Sequence, residues 1–435
     1  MSVHFKPARP SFLAKQHTLF SLRHAKFLPT IYQNEDANRM TLAYFCLASL
    51  SLLPSSAVSS LDPNLSALDV MLKPAQKSGF ARWVYEQQLP TGGFRGSDAL
   101  SGGGNSFTPS ADLSVPIAPN ATCSAAPSSS SPPTFSSLDR AHVIQSYTAL
   151  LILAILDDDF SRLDQHGLLD FVGSCQNEDG SFSHFPGCQE DPDPRSTYSA
   201  FAIASMLNDW SLIDVDRAFD FLNRCRRFEG GFAQRPGLEA NAGPTYCAIA
   251  SFSLSSRLSS LSNPHSLLRW LIDRQVRPPA RPPASSSSSD DADDEDERRL
   301  EEVPAESAGF QGRANKSTDA CYSFWTIAGL SLLLPALSPS TLSSSSSATP
   351  LKLTDILDPS LDRAWLLACQ HPLYGGIARE PGAPPDVYHT YLSLAALSLG
   401  AEHDPHSGLD LRPLDPGWNV RKEVAARIRE RLWVK

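Results

Sequence analysis

A unit recurs along the 435-residue chain: an amphipathic helical stretch, a Gly-Gly-Phe-like turn, a polar linker, then a more apolar stretch rich in Ala, Leu and Ser. It is centred on Gly92, Gly180, Gly230, Gly309 and Gly375, spaced by roughly 50 residues wherever no low-complexity insert intervenes. Helix pairs of this kind cannot each close a core and must stack on their neighbours. With about five or six copies and no strand-like alternation, the available architectures are an open solenoid and a closed ring. The second stretch of each unit, as in Ala141 to Leu156 or Arg195 to Leu207, is apolar almost all round, as an inner helix is. A closed, all-α α/α barrel (an α/α toroid) is therefore expected, with outer helices exposed and inner helices around a central cavity.

Arg23 to Phe27 reads as the opening of the first helical stretch, so residues 1–22 are expected to be an N-terminal extension and 23–435 the barrel domain. The last clear helix begins near Asp386 and runs to Leu399. Residues 99–136, 278–306 and 338–349, rich in Ser, Pro, Gly or acids, read as disordered inserts. The formal charge of −10 owes −7 to Asp290–Glu302, with nine acids against two arginines, which leaves −3 elsewhere. This charge, with no basic stripe carrying interleaved aromatics, argues against a general nucleic-acid binder. Eight cysteines are scattered without CxxC pairs, which favours a reducing compartment. Thr41 to Val58 is shorter than the ~20 apolar residues of a membrane span and is broken by Pro54. A cytoplasmic protein without a membrane span is expected.

Residues 309–325 hold two cations, a carboxylate, a thiol and an aromatic run at one turn-to-helix junction. The glycines and Asn315 suit a turn, Ser317-Thr318-Asp319 supplies N-cap candidates, and an apolar helix follows. Such an N-terminus favours anions. Asp319 and Cys321 would face different ways on a regular helix, so they share an ion only if Asp319 lies in the turn entering it.

Five stretches in order resemble the β subunits of protein prenyltransferases, a likeness that extends from about Arg23 to Leu399. They are Gly-Phe-Arg-Gly-Ser (93–97), Glu-Asp-Gly-Ser-Phe (178–182), Gly-Leu-Glu-Ala-Asn-Ala-Gly-Pro-Thr-Tyr-Cys (237–247), the run 309–325 and Tyr-His-Thr-Tyr (388–391). The resemblance implies a catalytic Zn2+ site of Asp319, Cys321 and His389, whose open position takes a substrate cysteine sulfur. It implies that Arg313, Lys316 and Tyr322 act with these ligands on an isoprenoid diphosphate, within a binding set of Asn241, Ala242, Gly243, Arg313, Ala314, Asn315, Lys316, Tyr322, Ser323, Phe324 and Trp325. Thr41, Phe45 and Cys247, with Tyr246 and Trp325, are implied around the isoprenoid tail, and Arg195 and His142 at the substrate peptide.

Within the family the chain looks most like the type I geranylgeranyltransferase β subunit. Thr41 falls where the farnesyl enzyme has a tryptophan at the cavity floor, and Arg379 where it has an aspartate for magnesium. A fixed cation there implies that Mg2+ is not required. Asn241-Ala242 departs from the family's His-Gly, and Asn241 donates a hydrogen bond without a charge. Ser196 replaces a bulkier residue. The implied activity is transfer of geranylgeranyl from geranylgeranyl diphosphate to the cysteine of C-terminal C-a-a-X motifs, X often Leu, on Rho- and Rac-type small GTPases. An α subunit is the implied partner. The farnesyl and Rab-directed homologues, or a non-catalytic lipid-binding toroid, are the alternatives; a terpene cyclase is weaker for want of an Asp-rich motif.

Overall fold

Sequence sets whether a helix here is buried all round or on one face. Val143–Ile155 carries no charge and buries twelve of its thirteen residues. Val215–Cys225, with Asp216, Arg217, Asp220 and Arg224 set against Phe219, Phe221 and Leu222, buries five of its eleven. The same contrast recurs around a ring. In the computed structural model, which describes residues 11–59, 62, 64–98, 140–188, 192–277, 308–337, 351–404 and 407–433, the outer helices are α1 (Ala14–Lys26), α4 (Pro74–Tyr85), α6 (Gln165–Ser174), α8 (Val215–Cys225), α10 (Pro264–Ile272) and α12 (Pro359–Ala368). The inner helices are α2 (Arg39–Leu52), α5 (Val143–Ile155), α7 (Pro194–Leu207), α9 (Ala242–Leu254), α11 (Cys321–Leu337) and α13 (Val387–Ala401), with the short α3 (Ala67–Met71) after α2. Each inner helix packs on the next and α13 returns to α2, so the toroid is closed, as expected.

The repeated turn has a physical cause. One to three positions past the end of five of the outer helices, a residue pairs as an isolated antiparallel bridge with the apolar residue closing the turn: Gln88 with Phe94, Gln176 with Phe182, Arg226 with Phe232, Gln275 with Phe310, Gln370 with Ile377. Those five apolar residues are fully buried. The backbone N–H groups of Phe94, Phe232 and Ile377 donate to the hydroxyls of Ser146, Thr245 and Thr390, which seats each turn over the N-terminal end of an inner helix. The turn glycines Gly92, Gly180 and Gly230 take φ of +88°, +87° and +115°, a region other residues rarely adopt.

The same side chains staple one repeat to the next. Gln176 pairs through its amide with the backbone of Asp214 (2.8 and 2.9 Å), and Gln275 likewise with Asp358 (2.7 and 3.0 Å). The last staple closes the ring: Gln370 Oε1 accepts from Leu13 N and its Nε2 donates to Ser11 O, at 2.9 and 3.2 Å. His17, fully buried on α1, completes this seam by bonding Gln370 Oε1 at 2.9 Å and accepting from Gly376 N at 3.0 Å. Gln370→Ala orphans buried donors at this seam and is expected to cost about 2 kcal/mol, read as a lower urea midpoint; an unchanged midpoint would discount the seam.

Several sequence expectations shift. Arg23 to Phe27 lies at the close of the first helix, since α1 begins at Ala14 and its His17 and Thr18 are fully buried; the division drawn between residues 22 and 23 therefore falls inside a packed helix. A further helix, α14 (Lys422–Leu432), follows α13, where the sequence reading stopped. Among the described residues two minimal hairpins occur, β1 (Ile377–Ala378) with β2 (Pro385–Asp386) and β3 (Leu414–Asp415) with β4 (Val420–Arg421). The inserts expected at 99–136, 278–306 and 338–349 lie outside the described residues.

The β3–β4 segment plugs the end where the inner helices terminate: Arg412 N bonds Leu52 O at the end of α2, and Trp418 Nε1 bonds Ser205 Oγ on the last turn of α7. From inside, tyrosine hydroxyls on successive inner helices donate to successive carbonyls of this plug. Tyr246 bonds Pro416 O (2.9 Å), Tyr198 Gly417 O (3.0 Å), Tyr147 Trp418 O (2.9 Å), and Tyr391, with Tyr44, Asn419 O (2.6 Å for Tyr391). Carbonyls brought to the centre of an apolar barrel are thereby satisfied. The toroid is left open at the end where the inner helices begin.

Candidate functional site

Asp319 sits in the turn entering α11, where its Oδ1 accepts from Cys321 N at 3.0 Å. That is the placement its spacing from Cys321 required. The turn is a hairpin: Gln311 pairs with Thr318, and Asn315 at the tip takes φ +58°. Gly312 is forced by contact, since a Cβ there would come within 2.0 Å of the Tyr322 ring.

His389 approaches from α13. Asp386, the N-cap of that helix, accepts from His389 N at 2.8 Å and from the ring Nδ1 at 2.6 Å, which places the imidazole proton on Nδ1 and leaves Nε2 toward Asp319 and Cys321. One donor atom from each of Asp319, Cys321 and His389 lies within 4.8 Å of the others. Nε2 is buried and makes no hydrogen bond of good geometry, although Asp319 Oδ1 is 3.3 Å away. An orphaned buried nitrogen facing a thiol and a carboxylate fits a metal: N, S and O donors suit Zn2+, and three protein ligands leave a position open.

Without an ion, the three side chains shift one another's protonation. Burial would lower the His389 imidazole, but the carboxylates of Asp319 and Asp386 push it up to about 12. Burial and the Asp319 charge push the Cys321 thiol up to about 12. Burial raises Asp319, yet His389 and Cys321 outweigh it and hold the carboxyl below its ordinary range. At neutral pH the metal-free site thus holds an imidazolium and a thiol, and an ion must displace both protons. Zn2+ uptake is expected to release about two protons, so that apparent affinity rises up to ~100-fold per pH unit between pH 6.5 and 7.5. Competition with a chelator of known affinity measures this; a pH-independent affinity would contradict this ligand set.

A cavity of about 530 Å3 adjoins the cluster, lined by Trp325 and Tyr388 and by the polar Arg195, Arg313, Asn241 and Tyr322. Arg313 Nη1 is held by Glu239 Oε2 at 3.3 Å, and both are half-exposed. Asn241 caps α9 by accepting from Gly243 N at 3.0 Å, which leaves its amide nitrogen as a donor. Burial raises the Tyr322 hydroxyl, opposed in part by a hydrogen bond with Asn241. The N–H groups of Ala242 and Gly243 are already taken, by Gly312 O and by Asn241, and Pro244 has none, so the α9 terminus offers a ligand the Asn241 side chain in place of backbone donors. A larger groove of about 930 Å3 lies apart from the cluster, between α1, α2 and α4.

Other expected residues lie around this cavity without lining it. Ala314, Asn315 and Lys316 are exposed at the hairpin tip. Ser323 turns to the buried Asp362 (2.6 Å), and Phe324 packs on Tyr246 with ring centroids 5.1 Å apart. Thr41 bonds Gln145 Oε1 at 2.9 Å, Phe45 lies between Tyr388 and Tyr391 (5.5 and 5.8 Å), and Cys247 is buried on α9. His142 stacks on His184 at 4.7 Å. Arg379 pairs with Glu380 at 2.9 Å, while its carbonyl accepts from Ala320 N, beside the metal ligands. Sequence reading missed Asp386, Gln234, Glu239 and Tyr388 as site residues; for Asp386 the signal was an N-cap acid three positions before a histidine.

Known proteins share this fold. Residues 12–420 match the family model described as Prenyltransferase alpha-alpha toroid domain. The chain is 32% identical over 394 residues to a Dictyostelium discoideum protein named geranylgeranyl transferase type-1 subunit beta, covering 88% of this chain and 89% of that one. It is 30% identical over 419 residues to an Arabidopsis thaliana protein of the same name, covering 92% and 90%. The solved structure of Candida albicans protein geranylgeranyltransferase-I complexed with GGPP shares the fold, with a TM-score of 0.69, 23% identity, and coverage of 97% of this chain and 99% of that one. A closed ring of helix pairs, a Cys-His-Asp cluster at its open end and these likenesses make the chain a member of the prenyltransferase α/α-toroid family, similar within it to type-1 β subunits.

Proposed function

We propose that this chain is the catalytic β subunit of a type I protein geranylgeranyltransferase, transferring geranylgeranyl from its diphosphate to the cysteine of a C-terminal C-a-a-X motif. One observation carries the reading: Asp319, Cys321 and His389 converge at a cavity that aromatic rings and two arginines also line. Zn2+ held by those three would present the acceptor cysteine as its thiolate. The chain's own groups do the rest. Asp386 orients His389, and Arg313, Tyr322 and Asn241 face the leaving diphosphate, where Tyr322 and Asn241 donate as negative charge develops. Arg313 reaches it by leaving Glu239, and Lys316 by folding in from the hairpin tip.

Trp325 and Tyr388, the latter backed by Phe45, are the aromatic lining of the cavity, and the tail is proposed to lie against them, toward the tyrosine-lined plug. Thr41, a small residue in the first turn of α2 one turn before Phe45, is proposed to favour a 20-carbon over a 15-carbon tail. Arg379, next to the ligands, stands where a divalent ion would otherwise offset charge, so added Mg2+ is expected to change the rate less than twofold. Exposed Phe228, Leu373 and Tyr374 sit on the turns at the open end, a surface for the helical α subunit. Small GTPases of Rho and Rac type are the proposed acceptors. Among the described residues no helix is long and apolar enough to cross a membrane, and we place the enzyme in the cytoplasm.

The test is radiolabelled transfer by the chain co-expressed with an α subunit, from geranylgeranyl and farnesyl diphosphates in competition, to peptides ending in Leu, Met or Ser. Preference of at least tenfold for geranylgeranyl onto the Leu peptide is expected; farnesyl preference would move the chain to the farnesyl class. No transfer and no metal would leave a lipid-binding toroid.

A further inference from the structure

Four of the five bridged turns place a glutamine just past the outer helix. Each pairs through its amide, as donor and as acceptor, with backbone across a seam of the ring: Gln88 with Asp164, Gln176 with Asp214, Gln275 with Asp358, and Gln370 with Ser11 and Leu13. The fifth turn has Arg226 in that place. It keeps only the donating half of the pairing, from Nη2 to Asn263 O at 2.8 Å and to Ser266 Oγ at 3.1 Å, and it brings a full charge into the seam between α8 and α10.

That charge has no counter-ion. Burial lowers the Arg226 guanidinium and no carboxylate offsets it, whereas Arg274 and Arg421, lowered in the same way, have Asp273 and Glu423 to raise them again. Arg226 Nη1 and Arg227 Nε are both buried without a hydrogen bond. Among the described residues neither arginine has a carboxylate within ion-pair reach. Both line a pocket of about 430 Å3, together with Asn223, Ser262 and Ser266. Its lining holds no acid and shares no residue with the cavity beside Asp319.

A partly buried cation is ordinarily paired, so the missing partner is an anion from outside the chain. Two adjacent unbalanced guanidinium groups call for a dianion. A carboxylate cancels one charge, while a phosphate monoester, at about −1.5 to −2 near neutral pH, offsets both. Guanidinium, amide and hydroxyl donors together suit its several oxygens.

We propose that the Arg226–Arg227 pocket binds a phosphate group, free or carried as a monoester on a seryl side chain. Arg226, whose Nη2 is already engaged, supplies charge; Arg227, Asn223 and Ser262 supply the hydrogen bonds.

The test uses the heterodimer as wild type, Arg226→Gln and Arg227→Gln, with chloride controls at matched ionic strength. Arg226→Gln restores the glutamine of the other four turns, and Arg227→Gln disturbs no seam contact. Titration calorimetry follows inorganic phosphate and a phosphoserine peptide against its unphosphorylated form. Each variant is expected to lose about tenfold in phosphate affinity, the worth of one contact to a charged group; binding on the Arg313 side of the cavity is common to all three proteins. A phosphoserine peptide that binds more tightly than free phosphate supports a protein-borne ligand, and the reverse order supports a free ion. Without phosphate, Arg226→Gln is expected to have a higher urea midpoint than wild type, and phosphate to narrow the difference. Equal phosphate affinity in all three proteins, or a response that chloride reproduces, overturns the proposal. So does binding by the chain alone that vanishes in the heterodimer, since the α subunit then covers the pocket.

Discussion

Cys321→Ala is expected to strip the bound Zn2+ and to lower prenyl transfer on the order of a thousand-fold, since metal stabilisation of a reacting centre is worth several kcal/mol and each 1.36 kcal/mol is tenfold in rate. The loss should be specific to chemistry. Cys321 occupies the first position of α11, and alanine is at least as good a helix former there, so the circular dichroism spectrum and the isoprenoid-binding cavity should survive. Asp386→Ala offers a graded companion: His389 keeps its place on α13 but loses the acceptor on Nδ1, and metal affinity should fall about 10- to 100-fold. Metal content by mass spectrometry and single-turnover transfer on the same samples check both. A Cys321→Ala enzyme with full turnover would refute the metal-centred mechanism, whatever its zinc content.

Stability should depend on pH through Asp362. This carboxyl is buried on α12 with Ser323 Oγ as its hydrogen-bond donor at 2.6 Å. Burial pushes it from 3.8 up to about 7, opposed only by that hydroxyl. A folded state that binds the proton more tightly than the unfolded one gains stability that is fully present below about pH 4 and is lost as pH rises through 7. Three units correspond to about 4 kcal/mol. Asp362→Asn keeps an acceptor for Ser323 and removes the titration. Relative to the variant, the wild type should lose about 4 kcal/mol between pH 4 and pH 8, measured by urea denaturation at each pH. Equal pH profiles would mean that Asp362 stays ionised with partners it does not have here.

How far the site could be read ahead differed residue by residue. Asp319 and Cys321 are two positions apart in one turn, so their cooperation was a matter of local geometry. His389, about 70 residues on, joined them only through a resemblance, because nothing local says which inner helix neighbours α11. Lys316 and Arg313 looked alike in sequence. Folded, Arg313 lines the cavity against Glu239 while Lys316 stands exposed at the hairpin tip, since a hairpin sends residues of its arms and its tip in different directions. Ala242 and Gly243 entered the expected binding set only through the resemblance; folded, their N–H groups are held by Gly312 O and the Asn241 side chain.

By itself the sequence determined the helix-pair repeat, the apolar inner helices, the glycine turns and the capped entry to α11, all of which depend on spacings within a turn or two of helix. Only the tertiary structure decided that Gln370 and His17 close the ring onto the first helix, that the β3–β4 plug shuts one end beneath a tyrosine collar, and that Asp386 and Glu239 hold the ligating and cationic groups in place. Those contacts join residues up to 375 positions apart, and hydrogen bonds at such separations exist only once the accumulated rotation of successive repeats has brought the last helix pair against the first.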